Sequence, residues 1–186
     1  MKFKSIEKKA EGKFITRFDI NYETEDGQDK KYEIISRKKD ISTFEELHGD
    51  EPDAVVLIMH SPDGKRVLVN KEFRMAPGMW VYNFPAGLID PGEDADTAAA
   101  RELKEETGLD LISIEDRIGL SYSTVGFSNE MNVCVVGVCD GEIRQSDSSF
   151  EEIEAAWYTK EEVRELLKTE RFAARTQAYL YMWSRE

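Results

Sequence analysis

Between residues 87 and 109 the chain changes its period, and that change restricts the fold more than any other feature. Upstream, the apolar runs at 54–59 and 66–73 flank Ser61-Pro62-Asp63-Gly64, a tight-turn sequence, and a third strand at 80–84 ends on Pro85. Residues 95–107 are rich in Ala, Glu, Leu and Arg, carry acidic groups near their start and meet Gly108, which together spell a helix. Strand composition returns at 111–122, 132–139 and 154–158. Thr159-Lys160-Glu161-Glu162 then reads as a capping box leading Val163, Leu166 and Leu167 onto one helical face, and a last helix holds Phe172, Tyr179, Leu180 and Trp183. Strands and helices are intermixed, so the expected class is α/β, a sandwich around a mixed sheet.

The first forty residues differ from the remainder of the chain. Phe14, Phe18, Ile20 and Tyr22 keep a strand period against Arg17, Asp19 and Asn21, and after a turn at 25–28 a second alternation runs over 31–37. This predicts a small antiparallel hairpin unit. The acidic stretch at 42–53 separates it from the rest, giving an N-terminal β-hairpin subdomain at 1–48 and a main domain at 49–186. Cys134 and Cys139 lie five apart in a strand and should face opposite ways as plain buried thiols. His48 and His60 are isolated and are assigned no chemistry.

With 25 basic against 38 acidic side chains the net charge is −13, which argues against the basic surface that non-specific nucleic-acid binding needs. No apolar run approaches the ~18 residues of a membrane span, and residues 1–14 lack a leader's apolar segment. The expected protein is therefore cytoplasmic, with neither nucleic acid nor membrane as partner. An anionic small substrate requires a cation to mediate.

The helix supplies the groups for one. At about 100° per residue, Glu102, Glu105 and Glu106 share a stripe that one turn earlier carries only Ala95, Ala98 and Ala99. Arg101 stands four residues before Glu105 and can pair with it. Three clustered carboxylates are stable in water or around a hard divalent cation, and with no histidine or thiolate beside them the cation is Mg²⁺ or Mn²⁺ rather than zinc. A solvated helix face with ordinary charge pairs is the other reading of these glutamates alone. The surrounding spacing decides: Gly87, five residues, Glu93, seven residues, Arg101-Glu102-Leu103, one residue, Glu105-Glu106, one residue, Gly108-Leu109. A chance match to seven fixed and two apolar positions is on the order of 10⁻⁷.

This stretch resembles the signature of the Nudix hydrolases at every fixed position. The resemblance implies a loop-helix-loop box in a Nudix-type α/β/α sandwich around a mixed β-sheet, and hydrolysis of a nucleoside diphosphate linked to another group. Carried over by position, Glu102 and Glu106 are metal ligands, Glu105 is a ligand or an acid-base group, and the backbone carbonyl of Ala86 completes the shell. Arg101 orients Glu105, and Glu93 is the structural, metal-adjacent or substrate-side glutamate. Gly87 and Gly108 each border a sharp turn where positive φ is useful.

The preceding hairpin unit, Glu72-Phe73-Arg74 and the 80–87 stretch resemble the ADP-ribose and ADP-sugar diphosphatase branch, which implies an N-terminal element used for homodimerisation and for the nucleotide pocket. Gly126-Phe127-Ser128-Asn129-Glu130 is similar to that branch's mobile loop, which makes Glu130 either the general base or a polar loop residue. Arg74 either contacts the substrate phosphates or pairs with a surface acid. Trp80, Tyr82 and Phe84 share one strand face, mostly as core, although one could stack on a base. Two positions depart from the branch: Val125 stands where it typically has proline, and Asn83 where it tends to have glutamate. The leading expectation is Mg²⁺-dependent cleavage of ADP-ribose to AMP and ribose 5-phosphate. The alternatives are a hydrolase of oxidised nucleoside triphosphates or dinucleoside polyphosphates, and a module that senses ADP-ribose without cutting it.

Overall fold

A computed structural model describes residues 1–144, 146 and 152–186. The chain divides into two compact units, one comprising Met1–Asp53 with Leu120–Asn132 and the other Ala54–Gly119 with Val133–Glu186.

In the first unit, β1 (Lys2–Glu11), β2 (Thr16–Glu23) and β3 (Asp29–Ser36) form an antiparallel three-stranded sheet in sequential order. The second and third strands are the expected hairpin. The first was not legible, because Lys8, Lys9 and Glu11 interrupt its alternation and its outer half is exposed. Phe18, Ile20, Ile34 and Ile41 make the core of this unit. The acidic boundary stretch contains a single helical turn, α1 (Phe44–Leu47), closed by a Thr43–Glu46 capping box. Residues 120–132 return to the same unit through backbone bonds: Ile35 N–H donates to the Phe127 carbonyl at 2.8 Å and Asp53 N–H to that of Met131 at 2.8 Å.

The second unit is built on a seven-stranded sheet. Strands β4 (Ala54–His60), β5 (Arg66–Arg74), β8 (Asp110–Tyr122), β9 (Met131–Asp140) and β10 (Ile153–Thr159), with β8 up to Gly119 and β9 from Val133 in this unit, lie in the order β10-β5-β4-β9-β8. The short β6 (Met79–Asn83) pairs with β5 and β7 (Ala86–Leu88) with β4, both antiparallel. Alternation along β4 divides two cores. Val55, Leu57 and Met59 face Ala98, Ala99 and Leu103 of α2 (Ala95–Thr107). Val56 and Ile58 face Val163, Leu180 and Trp183 of α3 (Lys160–Thr169) and α4 (Ala174–Trp183). Helices therefore cover both faces of the sheet, as a continuous apolar strand requires. Cys134 and Cys139 fall into opposite cores as free thiols, and burial pushes the Cys139 thiol up to about 12. Phe172 stands just before α4, not within it, and its ring lies 5.3 Å from that of Tyr82.

His60 ends β4 inside the α4 side of this core, its Nε2 2.7 Å from the Tyr179 hydroxyl and its ring 5.7 Å from Trp183. Burial lowers its pKa below the ordinary histidine value. The unfolded chain thus takes up this proton near pH 6.5 and the folded one only at lower pH, so the contribution is present above that value and lost as pH falls. The stability difference between the native chain and His60→Gln, measured by urea denaturation, is expected to shrink steadily from pH 8 to pH 5. A constant difference contradicts it.

Candidate functional site: an acidic box on helix α2

The box begins where β7 lays its backbone beside β4, with Val56 opposite Ala86 and Val55 opposite Gly87. A tight loop follows, with Gly92 at φ 86° and Glu93 N–H bonded to the Asp90 carbonyl at 2.9 Å. Asp94 then caps α2 by accepting from Thr97 N–H at 2.8 Å. The helix ends at Gly108, which is left-handed at φ 76° and donates its N–H to the Lys104 carbonyl. Here the expectation for Gly108 holds.

Gly87 owes its place to something else. Its φ is not positive; a Cβ at this position would lie 1.9 Å from the Glu102 carboxyl carbon. The missing side chain is where the Glu102 carboxylate rests against β7.

Arg101 is the hub of the box. Its Nε donates to Glu93 Oε1 at 3.0 Å and its Nη2 to Glu93 Oε2 at 2.8 Å, a bidentate pair. Nη2 also reaches the Leu88 carbonyl at 3.0 Å, and Nη1 donates to Glu102 Oε1 at 2.7 Å. The expected Arg101–Glu105 pair is present at 3.4 Å but is the longest of these contacts. The Glu93 carboxylate, which also accepts from Asp90 N–H, is thereby held well below the usual range, first by its bond from Arg101. Its neighbours in turn raise the Arg101 pKa, with the Glu93 hydrogen bond as the largest cause.

The three glutamates of the stripe are graded in depth. Glu106 is buried; Asn70 Nδ2 donates to its Oε2 at 2.7 Å and Ala86 N–H to the same oxygen at 3.3 Å. The Glu102 side chain is 14% exposed and that of Glu105 61%. Asn70 was missed in the sequence. Its signal was a polar residue directly after the buried run Val67, Leu68 and Val69.

Arg74 ends β5 in solvent, with Nη1 3.3 Å from Glu72 Oε2. Asn83 Nδ2 donates to the other Glu72 oxygen at 2.9 Å, and Asn83 Oδ1 accepts from the Thr176 hydroxyl at 2.9 Å. A carboxylate therefore does stand at Asn83, contributed by the neighbouring strand. Tyr82 and Phe84 are buried in the α3–α4 core, whereas Trp80 is half-buried beside Phe73. Glu130 belongs to the first unit, where its carboxylate pairs with Arg37 Nε and its N–H donates to Ser128 Oγ at 3.1 Å.

Two observations bear on whether this box suits a hard divalent cation. The donor set is oxygen only, from carboxylates and a backbone carbonyl, the chemistry that Mg²⁺ and Mn²⁺ favour. Beside it, Asn70 Oδ1 is fully buried and accepts no hydrogen bond among the described residues. In donor chemistry these residues fit such an ion, although among the described residues no three Asp, Glu, His or Cys side chains are grouped closely enough to hold a metal ion by themselves.

The NUDIX domain model matches residues 50–180, and the chain belongs to that family. It is 34% identical over 137 residues to the ADP-ribose pyrophosphatase of Saccharomyces cerevisiae, covering 72% of this chain and 55% of that protein. It is 28% identical over 141 residues to the NAD-capped RNA hydrolase NUDT12 of Macaca fascicularis, covering 73% of this chain and 29% of that protein. The chain thus spans about half or less of these relatives' length. A solved structure titled "Crystal structure of ADP compounds hydrolase" matches all of this chain and 93% of its own at a TM-score of 0.71 and 21% identity, a likeness of fold.

Gly87→Ala isolates the close approach. Its methyl group must displace the Glu102 carboxylate from Arg101, with an expected loss of about 1–3 kcal/mol by urea denaturation. A crystal structure of the variant with the Arg101–Glu102 bond intact would show that the backbone yields instead.

Proposed function

We propose that this chain hydrolyses the diphosphate linkage of a nucleoside diphosphate sugar with Mg²⁺ or Mn²⁺, and that ADP-ribose, cut to AMP and ribose 5-phosphate, is its most favoured substrate. The observation that carries the reading is the box itself, in which Glu106 meets the Ala86 amide and Glu102 the side-chain-free Gly87 of β7. The yeast relative's name supports the choice of ADP-ribose.

In this reading Glu106, Glu102 and the Ala86 carbonyl hold the cation. When bound, it neutralises the phosphoryl oxygens, polarises phosphorus and acidifies the attacking water. Water adds across the P–O–P bridge, one P–O bond breaks, and the bridging oxygen leaves with one of the two phosphates. Glu105, exposed at the end of the stripe, serves as a further ligand or as an acid-base group. Arg101 keeps Glu102 and Glu105 aligned, and Glu93, engaged by Arg101 and the Asp90 amide, braces the loop rather than meeting substrate. Arg74 offers its guanidinium to phosphate oxygens, a role its exposure permits. A homodimer forms through the N-terminal sheet. The name of the macaque relative, an NAD-capped RNA hydrolase, favours an NAD-capped RNA end as a second substrate, against the expectation that nucleic acid is no partner, since the NAD cap carries a diphosphate linkage.

Purified protein with Mg²⁺ and a panel of ADP-ribose, other nucleotide sugars, NAD and nucleoside triphosphates should release AMP and ribose 5-phosphate from ADP-ribose fastest, as read by mass spectrometry. In the same assay Glu106→Gln is expected to lose several orders of magnitude in kcat while its circular dichroism is unchanged. Silence across the panel, or near-normal turnover by Glu106→Gln, contradicts the reading.

A further inference from the structure

We infer that Asn70 is a positioning residue that holds the Glu106 carboxylate in its cation-binding orientation; the inference rests on the reading of Glu106 as a ligand. Alternate residues of a strand share a face, so Leu68, Asn70, Glu72 and Arg74 form one row along β5. Leu68 lies in the core with Ala98, Ala99 and Leu103 of α2, and Arg74 is in solvent. Asn70 is the row's turning point from apolar to polar, and it is 1% exposed.

Stability alone does not call for an amide there. A buried polar side chain costs free energy unless its groups are bonded, and an apolar residue of similar size in the same strand carries no such cost. Only half of this amide is bonded. Nδ2 donates to Glu106 Oε2 at 2.7 Å, while Oδ1 has no donor among the described residues. The amide cannot turn over to improve this, because Oδ1 would then face a carboxylate oxygen. What the amide achieves is directional. With Ala86 N–H donating to the same Oε2, two donors from two different strands pin one oxygen of Glu106, and the direction of the other is set with it. The orphan Oδ1 suits the same task, since Mg²⁺ and Mn²⁺ retain waters whose O–H groups need acceptors. Partners of ligating carboxylates typically tune metal affinity by about 10–100-fold.

The test uses Mn²⁺ alone, without substrate, and reads binding from the loss of the free-ion electron paramagnetic resonance signal. Asn70→Leu, close in size and without polar groups, is expected to weaken Mn²⁺ binding by about 10–100-fold while its circular dichroism stays native. In a Glu106→Gln background the same substitution should have little further effect, because a residue that acts through Glu106 has nothing left to position. Unchanged affinity in Asn70→Leu, or an undiminished loss in the double variant, overturns the inference. Should Asn70→Leu not fold, Asn70→Ser carries the same comparison. Normal Mn²⁺ affinity in Glu106→Gln itself would instead remove the ligand assignment on which the inference stands, so the two failures are distinguishable.

Discussion

The Arg101 guanidinium is the interaction on which the box depends. In a chain of net charge −13, Glu93, Glu102 and Glu105 converge within reach of one cationic group, and that group also ties the helix to the β7 carbonyl of Leu88. Without it, neighbouring carboxylates on a helix and its preceding loop would repel and splay into water. A lysine could supply the charge but not the planar fork that meets both oxygens of Glu93 while still reaching strand and helix. Arginine stays protonated here under any working condition, since its acidic neighbours raise its pKa further.

The fold supplies rigidity around this hub. Helix α2 is fixed at one end by the Asp94 cap and at the other by left-handed Gly108, and between them Ala98, Ala99 and Leu103 pack on the sheet. Small residues at the first two positions let the helix approach closely, so its later turns bring Glu102 and Glu106 against the β7 backbone. The opposite face of the sheet carries α3 and α4 and has a quieter role, apart from the Thr176–Asn83–Glu72 chain that joins α4 to the polar end of β5.

Much of this was legible because its cause was local. The span of α2, the capping box at Thr159, the opposed cysteines and the α/β class all follow from period and capping, which nearby residues determine. The box resemblance then singled out the residues proposed for the site. What remained hidden depends on contacts distant in sequence. Arg101 has Glu93 rather than Glu105 as its main partner because a loop folds back across eight residues. Asn70 meets Glu106 across 36 positions. Gly87 is explained by a carboxylate fifteen residues away and not by its own φ. Strand β1 and the return of residues 120–132 to the N-terminal unit likewise have no local signal.

Crystals grown with Mn²⁺ and measured at the manganese absorption edge test directly whether these side chains hold a divalent cation. The expected anomalous peak lies against the carboxylates of Glu102 and Glu106 and the carbonyl of Ala86. A well-ordered crystal with manganese elsewhere and no peak at this box would contradict it.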